Sequence, residues 1–445
     1  MNPGTGRTPT RARYEVVALL VLMAAMANMD RVCIAITMPF IQKDLFLTDD
    51  QVGCVLGSFY FAYALFEVPS GWMADRFGVR LTLTRIVLWW SAMTAFTGLA
   101  GGFWSLVALR VLFGLGEAGM YPSVNRAFSR WLPVTERGRA FGLVAMGLLL
   151  GAAATQPLVA NMLLTIDWRY IFPILGVVGV LWTVIWHWRF RDNPHEHPRV
   201  DAAELAQIGT PAQVVHTPVP WAQLVSHRTF VALSLSMACA FYSINFSITW
   251  LPIYLLRVHE LDLKQVGWWA GLILVLQSLG SFTGGFLNDW LRRRWGLRRG
   301  RALPAVICCL LAATLFSGAI FAPSAMSAAF LLAFAGVFAL MVNPLSFAVC
   351  TEIAGKHAGT VSGAMNMVTT LAGAISPIVV GQCLRHLDSW TIPMSIMGIS
   401  YFLAAVCWFF INPAEKLFTS VAPRQPESST GILGPGKPLP TANAT

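Results

Sequence analysis

The sequence predicts an all-α integral membrane protein, with twelve transmembrane helices arranged as two pseudo-symmetric six-helix bundles. Three observations carry that prediction. Hydrophobic residues make up 56% of the 445-residue chain and charged residues only 12%, about half the charged share of ordinary soluble domains. Apolar stretches of about 20 residues, enough to cross a hydrocarbon core roughly 30 Å thick, recur from end to end. One loop motif also occurs twice: Gly71-x-x-x-Asp75-x-x-x-x-Arg80 returns as Gly285-x-x-x-Asp289-x-x-x-x-Arg294, its aspartate 214 positions further along.

In chain order the spans are expected near 15–38, 52–73, 81–100, 103–126, 138–161 and 168–189, then 229–256, 265–288, 302–321, 325–351, 360–384 and 390–411. The first is long, carries Asp30-Arg31 and lacks a small-residue cleavage pattern, so it reads as an uncleaved span rather than a signal peptide. Spans 2 and 8 end in the two copies of the repeated motif. Prolines recur at similar offsets in the two halves: Pro39 and Pro252, Pro122 and Pro344, Pro157 and Pro377. The expected organisation is an amino-terminal bundle over 1–189, a polar linker over 190–228, a second bundle over 229–411 and a disordered Pro/Gly/Ser/Thr-rich tail over 412–445. Two such repeats place a substrate site at their interface.

The net charge of +10 is sorted by side. Arginines crowd the amino-terminal arm and the loops after spans 2, 4, 6 and 8, and the alternate loops are poor in them. The positive-inside rule then puts both termini in the cytoplasm and requires an even number of spans. This explains the basic balance without nucleic acid as a partner. The eight cysteines fall in or at the end of spans, with no disulfide or zinc spacing, and read as small apolar residues. Most tryptophans lie near span ends (Trp104, Trp168, Trp188, Trp268, Trp390), as interfacial anchors do. No HExxH, DxD, GxSxG or phosphate-loop motif occurs, so no enzyme is expected, and no cofactor beyond protons as coupling ions.

The informative residues are the charges within spans. Asp30 and Arg31 lie in span 1, and Arg110 and Glu117 in span 4. A charge at mid-bilayer costs roughly 2.5–3.5 kcal/mol on insertion scales, so such groups usually pair or line a pathway. Two acids and two arginines nearly cancel while leaving a titratable site, as a proton-coupled anion carrier requires. Arg110 and Glu117 are two helical turns apart on one face, and a network of Asp30, Arg110 and Glu117 is expected. Arg31, about 100° round the helix from Asp30, can point into the cavity and offer a planar fork to a carboxylate. The spans of the second half carry neutral amides instead, Asn366 being the best placed to meet substrate hydroxyls. Asp75, Arg80 and Asp289, at the cytoplasmic ends of spans 2 and 8, are expected to gate the inward mouth.

GWMADRFGVR resembles the loop 2–3 signature of the major facilitator superfamily, and GGFLNDWLRRR its second-half copy. ANMDRVCIAITMPFI, EVPSGWMADRFG, RVLFGLGEAGMYPS, SRWLPVTERGRAFG, WRYIFPILG and RDNPHEHP resemble the anion:cation symporter family within it. That group includes hexuronate, galactonate, glucarate, tartrate and phthalate carriers and the sialin-like proteins. The resemblance implies the major facilitator fold and rocker-switch symport of an organic anion, such as a sugar acid, with protons. It implies that Asp30 and Glu117 are proton-coupling acids partnered by Arg110, that Arg31 contacts the substrate carboxylate, and that Tyr63 and Gln156 line the substrate. A monomer in a bacterial inner membrane is the expected setting. His195-Glu196-His197 matches a recurrent linker sequence of the family and is read as that rather than as a metal site. Two departures leave the substrate open: Glu67 stands where the family more often has glutamine, and Asn28-Met29 lack an aromatic residue. The rival reading is an anion exchanger or uniporter in which the acids are structural.

Overall fold

The computed structural model describes residues 10–209 and 219–418, excluding the side chains at 68, 71–75, 134, 289 and 356. The expectation of a disordered tail falls largely outside the described residues, as does Arg7 of the basic amino-terminal arm. Arg11 of that arm is exposed, and Arg13 is buried in an ion pair with Glu136. Among those residues the secondary structure is helical. The first half runs α1 (Ala12–Asp44), α2 (Asp49–Phe77), α3 (Val79–Thr97), α4 (Phe103–Glu117), α5 (Met120–Trp131), α6 (Val134–Leu163) and α7 (Trp168–Arg189). Two short helices, α8 (Ala202–Ile208) and α9 (Trp221–Ser226), lie in the linker. The second half runs α10 (Arg228–Thr249), α11 (Leu251–Arg257), α12 (Leu263–Ala319), α13 (Ala325–Ala354), α14 (Ala358–Leu387) and α15 (Thr391–Trp408).

Ten helical segments among the described residues are long and apolar enough to cross a membrane. The expected second and third spans fall on α2 and α3, which are helical but not among the ten. In α3, Arg80 and Arg85 lower the hydropathy, and α2 is interrupted by residues whose side chains are not described. Span 4 breaks into α4 and α5 at Ala118-Gly119, and span 7 into α10 and α11 at Trp250. A proline follows each break, Pro122 and Pro252. Each lacks an N–H, and its ring clashes with the carbonyl four residues back. Spans 8 and 9 run together in α12, turned only at Gly296, whose φ of 75° is a conformation that favours glycine.

The packing is pseudo-symmetric. α1 packs on α6 as α10 packs on α14, and α3 on α7 as the second part of α12 on α15. The halves meet through α2 against α14 and α6 against α12, that is, spans 2 and 11 and spans 5 and 8. These contacts are backbone-close: a Cβ on Gly53 of α2 would lie 2.4 Å from the Pro377 carbonyl oxygen of α14.

Carboxylates from the linker cap two helix starts on the face where the described residues begin and end, here called the face of the chain ends. Glu204 of α8, fully buried, accepts hydrogen bonds from the Ala12 and Arg13 amides at 3.2 and 3.0 Å and from the Thr10 hydroxyl at 2.7 Å. Asp192 accepts from the Val79 and Arg80 amides at the start of α3 at 2.6 and 3.2 Å. The four orphan N–H groups of a helix start, and the positive end of its dipole, favour such partners. This segment of the linker is therefore docked. His197 belongs to that docking: it is buried edge-on against Trp131, its Nε2 is 3.0 Å from the Arg189 carbonyl oxygen, and its Nδ1 accepts from the Arg199 amide. No group of three or more His, Cys, Asp or Glu side chains placed to hold a metal occurs among the described residues. Of the expected interfacial tryptophans, Trp104, Trp188 and Trp268 are exposed. Trp168 is buried, which corrects the reading of that residue as an anchor, and Trp390 is half-buried, packed edge-on against Tyr254.

Candidate functional site

Arg31, Glu117, Asp30 and Arg110 converge where α1 meets α4, and Asp30, Arg110 and Glu117 are fully buried. The expected network takes a different pairing. Arg31 Nη2 donates to Glu117 Oε1 at 2.5 Å, and Glu117 Oε2 has no partner. Asp30 and Arg110 are within electrostatic reach but form no ion pair among the described residues: Asp30 Oδ1 and Arg110 Nε and Nη2 are unpartnered. The helical offset between Asp30 and Arg31 turns Arg31 toward α2, where its guanidinium lies 4.8 Å from the Phe59 ring centre and 5.2 Å from that of Tyr63. Arg110 lies 4.6 Å from the ring centre of Phe113, one turn along α4. Such cation–π contacts contribute about 0.5–2 kcal/mol each and hold a guanidinium without neutralising it. The arginine expected to stand free in the cavity is thus paired, and the one expected to partner the acids is not.

Gln156 on α6 is fully buried with both amide atoms unpartnered. An unmet buried polar group costs about 1–3 kcal/mol, so this amide calls for a polar ligand or water. Tyr63 supplies its ring face to Arg31. Asn366 does not stand open to a substrate: its Nδ2 donates to both oxygens of Glu67, at 2.9 and 3.0 Å, across the seam between the halves. Phe59, Tyr121 and the Glu67–Asn366 pairing were not anticipated. Tyr121 on α5 is exposed and within electrostatic reach of Arg31, Glu67 and Glu117. A signal was available, because Phe59, Tyr63 and Glu67 are spaced by four residues on α2, as are Glu117 and Tyr121 on span 4, and such residues share a helix face.

Arg80, expected at the gate, donates through Nε and Nη2 to the His187 carbonyl oxygen at 2.9 and 2.5 Å. It caps the end of α7 within the first half and does not reach the second. The side chains of Asp75 and Asp289 lie outside the described residues. At the face opposite the chain ends, Arg257 pairs with Asp49 at 2.9 Å and donates to Gln42 at 2.6 Å, and Arg385 pairs with Asp50 at 3.1 Å. These contacts tie the two halves together at that face.

Two related halves, a charged cluster within the helices and a seam between them define a polytopic membrane carrier. A Major Facilitator Superfamily profile matches residues 20–377, and the chain belongs to that superfamily. Its relatives are of the anion:cation symporter type. A probable sulfoacetate transporter of Cupriavidus necator is 36% identical over 413 residues, covering 91% of this chain and 94% of that protein. A hexuronate transporter of Bacillus subtilis is 27% identical, covering 91% and 96%. Among solved structures, a bacterial homologue of the human lysosomal transporter Spinster superposes with a TM-score of 0.74 at 21% identity, covering 91% of this chain and 97% of that one. The chain is a membrane transporter, not an enzyme.

Proposed function

We propose that this protein is a proton-coupled symporter of a small organic anion, a carboxylate or sulfonate, working by rocker-switch alternating access between two bundles of six spans each. It acts as a monomer in a bacterial inner membrane with both termini cytoplasmic. The ties at Asp49, Asp50, Arg257 and Arg385 then lie on the outer side, and the structure is a state closed to the outside. The observation that carries this reading is the buried Arg31–Glu117 pair at 2.5 Å, with Asp30 and Arg110 beside it and not hydrogen-bonded. An anion that reaches Arg31 competes with Glu117 for the same guanidinium, and protonation of Glu117 removes the competitor. Proton binding and anion binding are thereby linked at one arginine. The substrates for which the relatives are named, sulfoacetate and hexuronate, both carry an anionic head that fits the guanidinium fork.

The test is uptake into proteoliposomes of labelled sulfoacetate, a hexuronate and a hydroxy-diacid, with and without an imposed pH gradient. Accumulation above equilibrium that collapses with a protonophore is expected. Exchange of labelled for unlabelled anion without gradient-driven accumulation would assign an exchanger or uniporter and overturn the proton coupling.

A further inference from the structure

Glu67 shares the face of α2 that carries Phe59 and Tyr63, the rings beneath Arg31. Its carboxylate is met from the opposite half, by the Asn366 amide that donates to both of its oxygens. Further polar side-chain ties between the halves sit at the face opposite the chain ends, on Asp49, Asp50 and Gln42. The charged and titratable groups facing Glu67 are Arg31 from α1, Tyr63 on its own helix and Tyr121 from α5. α14 meets it with the neutral amide of Asn366.

The charge count decides what this carboxylate needs. The cluster holds three carboxylates (Asp30, Glu67, Glu117) and two guanidiniums (Arg31, Arg110). Arg31 is paired with Glu117, and Arg110 lies beside Asp30, so the fully ionised cluster has one carboxylate with no cation of its own. That carboxylate is Glu67, held only by an amide. A second anion brought into so poorly solvated a place requires neutralisation of the first.

We infer that Glu67 takes up a proton when the anion enters, and that the Glu67–Asn366 pair holds the seam in both protonation states. The proton goes to one carboxylate oxygen. A partial rotation of the Asn366 amide then lets its Oδ1 accept from the new O–H while Nδ2 donates to the other oxygen, so a fork on an anion becomes a two-bond ring with a neutral acid. Glu67 is then a third proton-carrying group beside Asp30 and Glu117, and this inference rests on the transport reading above.

Proton uptake on binding tests it directly. Sulfoacetate or glucuronate is added to the purified full-length protein in weakly buffered solution with a pH indicator, and the dissociation constant is measured across the neutral pH range. Glu67→Gln keeps an amide that can pair with Asn366 but cannot take a proton. It is expected to take up one proton fewer per anion bound, and to lose about tenfold per pH unit from the pH dependence of the dissociation constant. Equal uptake and equal pH dependence in parent and variant would overturn the inference while leaving transport intact. Asn366→Ala keeps the acid and removes the tie. It is expected to retain the parent's proton uptake and to slow transport at least about tenfold, as loss of a hydrogen bond to a charged group implies. Transport at the parent rate would remove the role assigned to the seam. Failure of the parent to bind either anion would instead overturn the anion reading itself.

Discussion

Replacing Glu117 by glutamine is expected to separate exchange from accumulation. The side chain is fully buried, and its Oε1 accepts from Arg31 Nη2 at 2.5 Å. A hydrogen bond involving a charged group contributes about 1.5–3 kcal/mol, roughly twice a neutral one. Glutamine keeps an acceptor for Arg31 and loses only the charge, so the variant folds with a deficit of about 1 kcal/mol. Glu117→Ala would strand the guanidinium, and breaking a buried pair in that way costs about 3–5 kcal/mol. Weakening the hold of residue 117 on Arg31 by about 1.4 kcal/mol leaves the guanidinium about tenfold more available to an anion. The variant therefore binds anion more tightly and with less dependence on pH. In proteoliposomes its counterflow of labelled anion persists, while accumulation driven by a proton gradient disappears. Gradient-driven accumulation at the parent level would refute the reasoning and move coupling to Asp30 or Glu67.

Arg31→Ala is expected to abolish anion binding, and Arg31→Lys not to restore it fully, since an ammonium lacks the bidentate fork. Because the alanine variant strands Glu117, the double variant with Glu117→Gln recovers thermal stability without recovering binding, and recovery of binding would exclude Arg31 from recognition. Asp75→Asn is expected to slow transport strongly with affinity within a small factor, and Asp289→Asn to be milder. Cysteine labelling from the cytoplasmic side should report a more open inward mouth, and unchanged labelling would exclude the gate. Glu204→Ala removes the acceptor for the Ala12 and Arg13 amides and should destabilise the start of α1 by about 0.5–2 kcal/mol, read as thermal unfolding. Burial holds His197 below its ordinary value of 6.5. Between the lowered value and 6.5 the undocked linker binds more protons than the docked one, so docking is complete above that window and is lost as pH falls through it. Hydrogen exchange in residues 190–209 should rise on acidification, and exchange independent of pH would remove His197 from the docking.

How much of the site was legible follows from the physics of each residue. Asp30, Arg31, Arg110 and Glu117 announced themselves, because an ionisable group within an apolar stretch has few reasons to be there. Their pairing did not, since it depends on a rotation of about 100° between neighbours on α1 and on which aromatic face of α2 receives the guanidinium. Asn366 was legible as a polar residue in an apolar span, but its partner, Glu67, is 299 positions away in the chain. Arg80 was read with the loop motif, and only the position of the end of α7 shows that it caps a helix.

The sequence by itself determined that the chain spans a membrane, that it consists of two related halves and that its charges concentrate in the first. Those properties follow from segment length, hydropathy and local repetition, each a function of neighbouring residues. The tertiary structure alone decided that Arg31 belongs to Glu117, that Glu67 meets Asn366 across the seam, that carboxylates of the linker cap α1 and α3, and that the face opposite the chain ends is tied shut. Each is a contact between residues distant in the chain, set by how helices pack and turn about their axes rather than by any local pattern.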